Sequence, residues 1–206
     1  MMRYLPLDTE EGERDMNNRF WMIGLLIIMA VVCSSALAIV NIKIAPIIQR
    51  NNEIKYMSTV LEVFGIPYET GNSDSIISRY KQSIEERETD GLVLFFDKES
   101  GQTATSISGS GFQGQINLIV ALEDDTITGF KVVNQVETPG LGARITEESF
   151  QKSFIGKRVS DGIVMTKSGN AGISEFDAIT GATETSRALE RILTRGFARY
   201  FELVKK

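Results

Sequence analysis

The stretch between Arg19 and Lys43 constrains the chain more than any other feature, because it holds 23 consecutive residues without a charge. As a helix it would be roughly 34 Å long, which is enough to cross a bilayer core of about 30 Å. Trp21, close to Arg19, stands where an aromatic residue commonly meets the membrane surface. The sequence therefore predicts one membrane-spanning helix at 20–42, preceded by an N-terminal tail at 1–19.

A secretory signal peptide is the alternative to a membrane anchor, since Ala36, Leu37 and Ala38 fit a small-x-small cleavage site after an apolar run. The residues before the run favour an anchor, because their acids outnumber their arginines and form a poor signal-peptide n-region. Basic residues flank the stretch equally on its two sides: Arg3, Arg14, Arg19, Lys43, Arg50 and Lys55. Charge alone therefore leaves the orientation of the helix open.

The composition excludes several kinds of site. Histidine is absent and Cys33 is the only cysteine, so the chain alone cannot form a His/Cys zinc site, a four-thiolate iron–sulfur cluster or a haem with a proximal histidine. The net charge is −5 with acids and bases interspersed, and the lack of a basic cluster argues against nucleic acid as a partner. Redox chemistry in this chain would need a bound organic cofactor.

The remaining residues have the pattern of one α+β domain at 65–206. Apolar residues recur at helical spacing through a juxtamembrane segment, 43–64, and Gly65 to Pro67 ends that helix. Further along, a helical pattern around 76–84 is followed by β-rich runs at 92–96, 116–122 and 127–136, a hairpin turn at 123–125, and helices at 147–154 and from Ser186 to about Val204. This order predicts an antiparallel sheet with flanking helices.

One motif, Asp177 to Arg187, stands where a β-like run leads into the last helix. It presents the hydroxyl groups of several residues at a helix N-terminus, which attracts anions such as phosphate. Those residues are Thr180, Thr183, Thr185 and Ser186, with the small Gly181 and Ala182 between them. The same residues are equally typical of an ordinary N-cap formed by Thr183 or Thr185. Spacing alone leaves both interpretations open.

Two further stretches contain glycines that would let a ligand approach the backbone. Glu137 to Gly142 reads Glu-Thr-Pro-Gly-Leu-Gly, in which Pro139 fixes one turn position and Gly140 and Gly142 permit unusual dihedrals. A plain turn between a strand and a helix explains the same residues. Gly109 to Gly114 lacks the spacing and the lysine of a phosphate-binding P-loop.

The 177–187 motif and the upstream Glu-Thr-Pro-Gly-Leu-Gly, in this order, closely resemble the covalent FMN-binding domain family. The resemblance extends from the N-terminal membrane helix to the C-terminal helix. In this arrangement the chain is similar to the G subunit of the Rnf ferredoxin:NAD oxidoreductase and to the C subunit of the sodium-pumping NADH:quinone reductase, Nqr. The compact stretch between Gly142 and Thr180 is more similar to Rnf, so we expect an Rnf-type subunit with the Nqr subunit as the alternative.

The resemblance also implies roles for individual residues. It implies that a flavin transferase uses FAD as donor, releases AMP and leaves FMN joined through its phosphate to Thr183. Asp177 would belong to the sequence that the transferase recognises, and Gln113 departs from the aromatic residue that we expect there in Nqr relatives. The other residues expected around the cofactor are Thr180, Gly181, Ala182, Thr185, Glu137, Thr138, Leu141 and Gly142.

At the level of the whole protein, the resemblance implies a non-autonomous electron-transfer subunit. Its partners would be the other subunits of a membrane-bound complex, the flavin transferase during maturation, and membrane lipid. The tail would be cytoplasmic and the flavin domain extracytoplasmic, on the cell's inner membrane. Two other interpretations stay open: a membrane-tethered binding module without flavin, and the flavin-binding part of a stand-alone reductase, although the sequence has no visible nucleotide-binding motif.

Overall fold

The structure is a computed structural model that describes residues 9–160 and 162–204. Its first helix, α1 (Thr9–Val63), contains the whole uncharged stretch, whose apolar side chains are exposed. Within the described residues, α1 is the one helix that is long and apolar enough to cross a membrane. The predicted helix at 20–42 lies in α1, as does the predicted helix at 43–64 except for Phe64. The predicted tail at 1–19 lies partly outside the described residues.

The chain divides into two compact units, 1–51 and 52–206. The second unit contains the end of α1 and every later element. Its helices are α2 (Ser73–Ser83), a 3₁₀-helix (Gly142–Thr146), α3 (Glu148–Lys152) and α4 (Thr183–Val204). Its strands are β1 (Ile84–Thr89), β2 (Leu92–Asp97), β3 (Thr103–Ser110), β4 (Gln115–Glu123), β5 (Thr126–Asn134), β6 (Val164–Thr166) and β7 (Glu175–Asp177).

Strands β1 to β5 form one antiparallel sheet in sequence order, and β6 pairs with β7 in parallel. β4, the fourth of the five strands, is apolar and buried from Leu118 to Leu122, because both faces of the sheet are covered there. One face packs against α4, through Leu118 and Val120 of β4. Ile119 and Ala121 point to the opposite face, which packs against α2 and the last turns of α1. The predicted α+β fold with an antiparallel sheet and flanking helices is confirmed.

Two strands of the sheet were not predicted from the sequence. β1 is an edge strand in which all residues after Ile84 are exposed, and several of them are charged. Charged residues discourage pairing with another chain, but they also remove the apolar alternation by which a strand is recognised. β3 consists largely of small and hydroxyl residues, and its burial is set by the close packing of α4.

The last helix begins at Thr183, three residues earlier than the predicted start at Ser186. Ser186 instead lies in the first turn, where its hydroxyl accepts a hydrogen bond from the Ile179 N–H (3.0 Å) and donates one to the Ala182 carbonyl (3.0 Å). These two bonds join the helix to the chain that precedes it. The early start places Thr183 itself at the N-terminus of α4.

Candidate functional site

Three loops that are far apart in sequence meet at the N-terminus of α4. They enclose a cleft of about 280 Å³. The β3–β4 turn contributes Phe112, the segment after β5 contributes residues 137–142, and the start of α4 contributes 181–185. The residues that line the cleft are Phe112, Glu137, Thr138, Leu141, Gly142, Gly181, Ala182, Thr183, Glu184 and Thr185. The sequence motifs thus form one site in the folded domain.

The carboxylate of Glu137 joins these three loops. Its Oε1 accepts hydrogen bonds from the N–H groups of Phe112 (2.8 Å) and Gln113 (3.0 Å). Its Oε2 accepts a hydrogen bond from the Thr185 hydroxyl (2.7 Å). Both Glu137 and Thr185 are buried. A buried carboxylate is costly unless it is hydrogen-bonded, and here the hydrogen bonds hold the β3–β4 turn and α4 in place.

Gly142 is required where the loop passes this carboxylate. A Cβ at Gly142 would lie 2.4 Å from Thr185 Oγ1 and 2.7 Å from Glu137 Oε2, both far inside van der Waals contact. Gly140 is required for its backbone conformation instead, because its φ of +73° is rarely adopted by residues with a side chain. In the Glu-Thr-Pro-Gly-Leu-Gly motif, Gly140 therefore lets the backbone turn, and Gly142 lets the loop pass close to Glu137 and Thr185.

Thr183 lies in the wall of the cleft at the first residue of α4, with its side chain half-buried. Neither it nor Thr185 caps the helix through a side-chain hydrogen bond. Thr185 donates to Glu137 instead, and the Thr183 hydroxyl has no hydrogen-bond partner in the part of the chain that the structure describes. The first N–H groups of an α-helix lack intrahelical partners and carry a partial positive charge. Thr183 thus combines a free hydroxyl with an environment suited to a phosphate.

Thr180, which the sequence analysis expected around the cofactor, and Asp177, which it assigned to recognition by the transferase, both lie outside this cleft. Asp177 and Thr180 line a neighbouring depression of about 440 Å³, not the cleft that contains Thr183. The Asp177 carboxylate accepts hydrogen bonds from the N–H groups of Gly169 (2.9 Å) and Ala171 (3.3 Å), so it orders the loop between β6 and β7. Its role in recognition by a transferase stays a prediction.

Phe112 and Glu184 also line the cleft, although neither was predicted from the sequence. Phe112 is 60% exposed, and Val136 and Leu141 are also exposed apolar residues of these loops. A group of exposed apolar residues commonly marks a binding surface. The signal in the sequence was an aromatic residue between glycines in Gly109 to Gly114, a stretch that matched no phosphate-binding pattern.

Comparison with known sequences agrees with this site. The profile of the FMN-binding domain family matches residues 111–197, a range that contains all the lining residues of the cleft. The fold and the site therefore define an FMN-binding domain.

Three relatives show the wider family. The G subunit of the ion-translocating oxidoreductase complex of Aliivibrio fischeri strain MJ11 is 30% identical over 162 residues, 77% of this chain and 70% of that protein. The G subunit of the Na(+)-translocating ferredoxin:NAD(+) oxidoreductase complex of Acetobacterium woodii is 26% identical over 88% of this chain and 91% of that protein. The G subunit from Methanosarcina acetivorans is 46% identical over 81 residues, which span only 40% of that protein. The chain belongs to the family of G subunits of ion-translocating oxidoreductase complexes.

Two crystal structures share the fold. The C subunit of the Na(+)-translocating NADH-quinone reductase from Parabacteroides distasonis superimposes with a TM-score of 0.64 at 22% identity, over 77% of this chain and 96% of that chain. NqrC of Shewanella oneidensis gives a TM-score of 0.60 at 20% identity, over 76% of this chain and 97% of that chain. The predicted architecture of an FMN-binding domain is thereby confirmed.

Proposed function

We propose that this chain is the membrane-anchored electron-transfer subunit of an Rnf-type ion-translocating ferredoxin:NAD oxidoreductase, and that it carries FMN covalently on Thr183. The G subunits that it resembles belong to complexes of this kind. The observation that carries the proposal is the Thr183 hydroxyl, without a partner among the described residues, in a cleft built from both family motifs.

The residues of the cleft fit FMN. Thr183 would hold the phosphate, because a hydroxyl can form the ester and the N-terminus of α4 favours the negative charge that remains. Thr138, Leu141 and Gly142 line the cleft, and the exposed side chain of Leu141 offers an apolar surface for a flat ring system. When bound, the flavin supplies the capacity to accept and release electrons, which this chain otherwise lacks. Attachment keeps the cofactor at a high effective concentration.

The chain's own residues would bind and orient the cofactor. Glu137 fixes the spacing between the β3–β4 turn and the first turn of α4, and thereby the direction in which Thr183 faces the cleft. A threonine hydroxyl is not ionised at neutral pH, so its esterification needs a base and a metal from another protein. We assign this step to a flavin transferase that takes FMN from FAD and releases AMP, with Asp177 in the segment that it recognises.

The first prediction concerns the bond to flavin. Protein purified from a host that contains the transferase and then denatured in acid should keep its yellow fluorescence on the polypeptide, because a phosphoester survives unfolding. The measurement is fluorescence of the band after denaturing electrophoresis. Colourless polypeptide with free flavin in the supernatant would contradict covalent attachment, and a protein without flavin would favour the tethered binding module. NADH oxidation by the isolated chain would favour a stand-alone reductase.

The second prediction concerns the complex. Gentle detergent extraction of the membrane should recover this chain together with iron–sulfur and NADH-binding subunits, as expected for Rnf. Mass spectrometry of the co-purified proteins provides the measurement, and a tagged unrelated membrane protein from the same cells is the control. A quinone-reducing set of subunits would instead assign the chain to Nqr, whose C subunit has the same fold.

The membrane anchor completes the proposal. α1 is apolar and exposed from Phe20 to Ile42, and the relatives are subunits of ion-translocating complexes. We place the chain in the inner membrane as a single-pass protein, with residues 1–19 cytoplasmic and the flavin domain, 65–206, extracytoplasmic. The span 20–42 contains no charged residue, so ion movement would be a task of other subunits.

A further inference from the structure

A second groove, of about 330 Å³, lies between α4 and β3 on the domain. One wall is β3 from Ser106 to Ser110 together with Gly111 of the following turn, and the tip of the β1–β2 hairpin, Gly91 and Leu92, closes one end. The other wall is α4, which contributes Arg191, Arg195 and Arg199, together with Ile192 and Gly196. The proposed attachment of flavin at Thr183 does not account for this groove.

The edge of β3 in this groove is open. β2 pairs with β3 only from Thr103 to Ser106, whereas β4 pairs with β3 as far as Ser110. Across the β3–β4 turn, the Gly111 N–H donates to the Gly114 carbonyl (2.7 Å). Bonded and non-bonded residues alternate in antiparallel pairs, so Gly109 directs its main-chain groups at β4. The main-chain N–H and C=O groups of Ser108 and Ser110 therefore point away from β4. They face the side of β3 on which β2 pairs only as far as Ser106.

The helical wall runs alongside this edge. A Cβ at Gly109 would lie 2.7 Å from Ile192 Cγ1, and a Cβ at Gly196 would lie 2.4 Å from Ile107 Cγ2. Because the helix numbers rise as the strand numbers fall, α4 is antiparallel to β3. Each four-residue step along the helix rises about 6 Å, and each two-residue step along a strand advances about 6.7 Å. Residues four apart on α4 therefore have nearly the same spacing as residues two apart on β3.

The groove is positively charged in a chain whose net charge is −5. Its three arginines are exposed, and none of its lining residues within the described ranges is acidic. Arg199 donates a hydrogen bond to the main-chain carbonyl of Asp90 at the hairpin tip. Arg191 and Arg195 have no hydrogen bond or ion pair with the residues that the structure describes. Two guanidinium groups are thus available to an anionic ligand that lies along β3.

We propose that an extended acidic segment of a partner protein docks here as an additional strand beside β3. Its main chain would bond to Ser108 and Ser110, and carboxylates two residues apart would face Arg191 and Arg195. Strand addition at an open edge supplies affinity through main-chain hydrogen bonds, while the arginines select an acidic sequence. The spacing of the arginines requires acids at every second residue, which distinguishes this segment from an acidic helix.

The test uses the full chain in neutral phosphatidylcholine nanodiscs and a short fluorescein-labelled peptide that alternates threonine and glutamate. Fluorescence anisotropy should show binding, and the Arg191→Glu, Arg195→Glu double variant should weaken it by roughly tenfold or more. Arg187→Glu is the matched control, because Arg187 lies on the same helix outside the groove and pairs with Glu184 (2.7 Å). We expect the control to bind within about twofold of the unmodified protein.

Hydrogen exchange tests the added strand separately from charge. Bound peptide should slow amide exchange in the segment that contains Ser108 and Ser110, and a peptide N-methylated at alternate residues should bind more weakly. Equal binding by the double variant, equal weakening by Arg187→Glu, or binding without slower exchange would overturn the proposal. Displacement of the peptide by phosphatidylglycerol vesicles would assign the groove to lipid. The flavin content of the double variant should be unchanged, so this test is independent of the function of Thr183.

Discussion

Thr183→Val should yield a folded protein without covalent flavin. Valine nearly preserves the shape of threonine but replaces the hydroxyl that would form the phosphoester, so attachment should be abolished rather than reduced. The fold should tolerate the change, because Thr183 is only half-buried and its hydroxyl has no hydrogen-bond partner in the described ranges. The measurement is the ratio of protein-bound flavin absorbance to protein, together with circular dichroism to confirm the fold.

Two matched variants make this result specific. Thr183→Ser keeps a hydroxyl at the same position and should retain covalent flavin. Thr180→Val removes the hydroxyl that opens onto the neighbouring depression and should also retain it. If Thr183→Val keeps its flavin through acid denaturation, attachment at Thr183 is wrong, and peptide mapping by mass spectrometry would show whether Thr180 or Thr185 is modified instead.

Glu137→Ala should have the next largest effect, on both stability and flavin content. The substitution leaves the buried Thr185 hydroxyl and the N–H groups of Phe112 and Gln113 without their acceptor. Loss of a charged, buried acceptor costs about 3 kcal/mol, which lowers the unfolding midpoint of a domain of this size by roughly 8 °C. Flavin content should fall as well, since the loops that present Thr183 are no longer joined.

The matched control for this prediction is Glu184→Ala. Glu184 also lines the cleft, but it is exposed and its carboxylate pairs only with Arg187 among the described residues, a contact worth less than about 1 kcal/mol. The control should therefore unfold close to the unmodified protein and keep its flavin. Thermal unfolding followed by circular dichroism, with flavin fluorescence on the same samples, separates the two variants. A Glu137→Ala protein with unchanged midpoint and full flavin would show that Glu137 does not position the site.

Elements whose sequence signal is local were predictable, and elements that depend on distant contacts were not. The apolar stripe of α4 and the β4–β5 hairpin were predicted, because side-chain periodicity and turn residues report on neighbours in sequence. β1 was not, because an edge strand with charged residues has no apolar alternation. The start of α4 was placed three residues late, since it depends on Ser186 bonding back to Ile179 and Ala182.

The sequence alone was enough to predict the membrane-spanning helix, to exclude sites that need histidine, and to predict the α+β order of the domain. It also contains the two motifs that identify the family. Only the tertiary structure decided that those motifs share one cleft, that Glu137 points inward to Thr185 from 48 positions away, and that Asp177 and Thr180 face a different depression. The reason is physical. Periodicity and motifs depend on adjacent residues, whereas the directions of these side chains are set by hydrogen bonds and close packing between segments that meet only after the chain has folded.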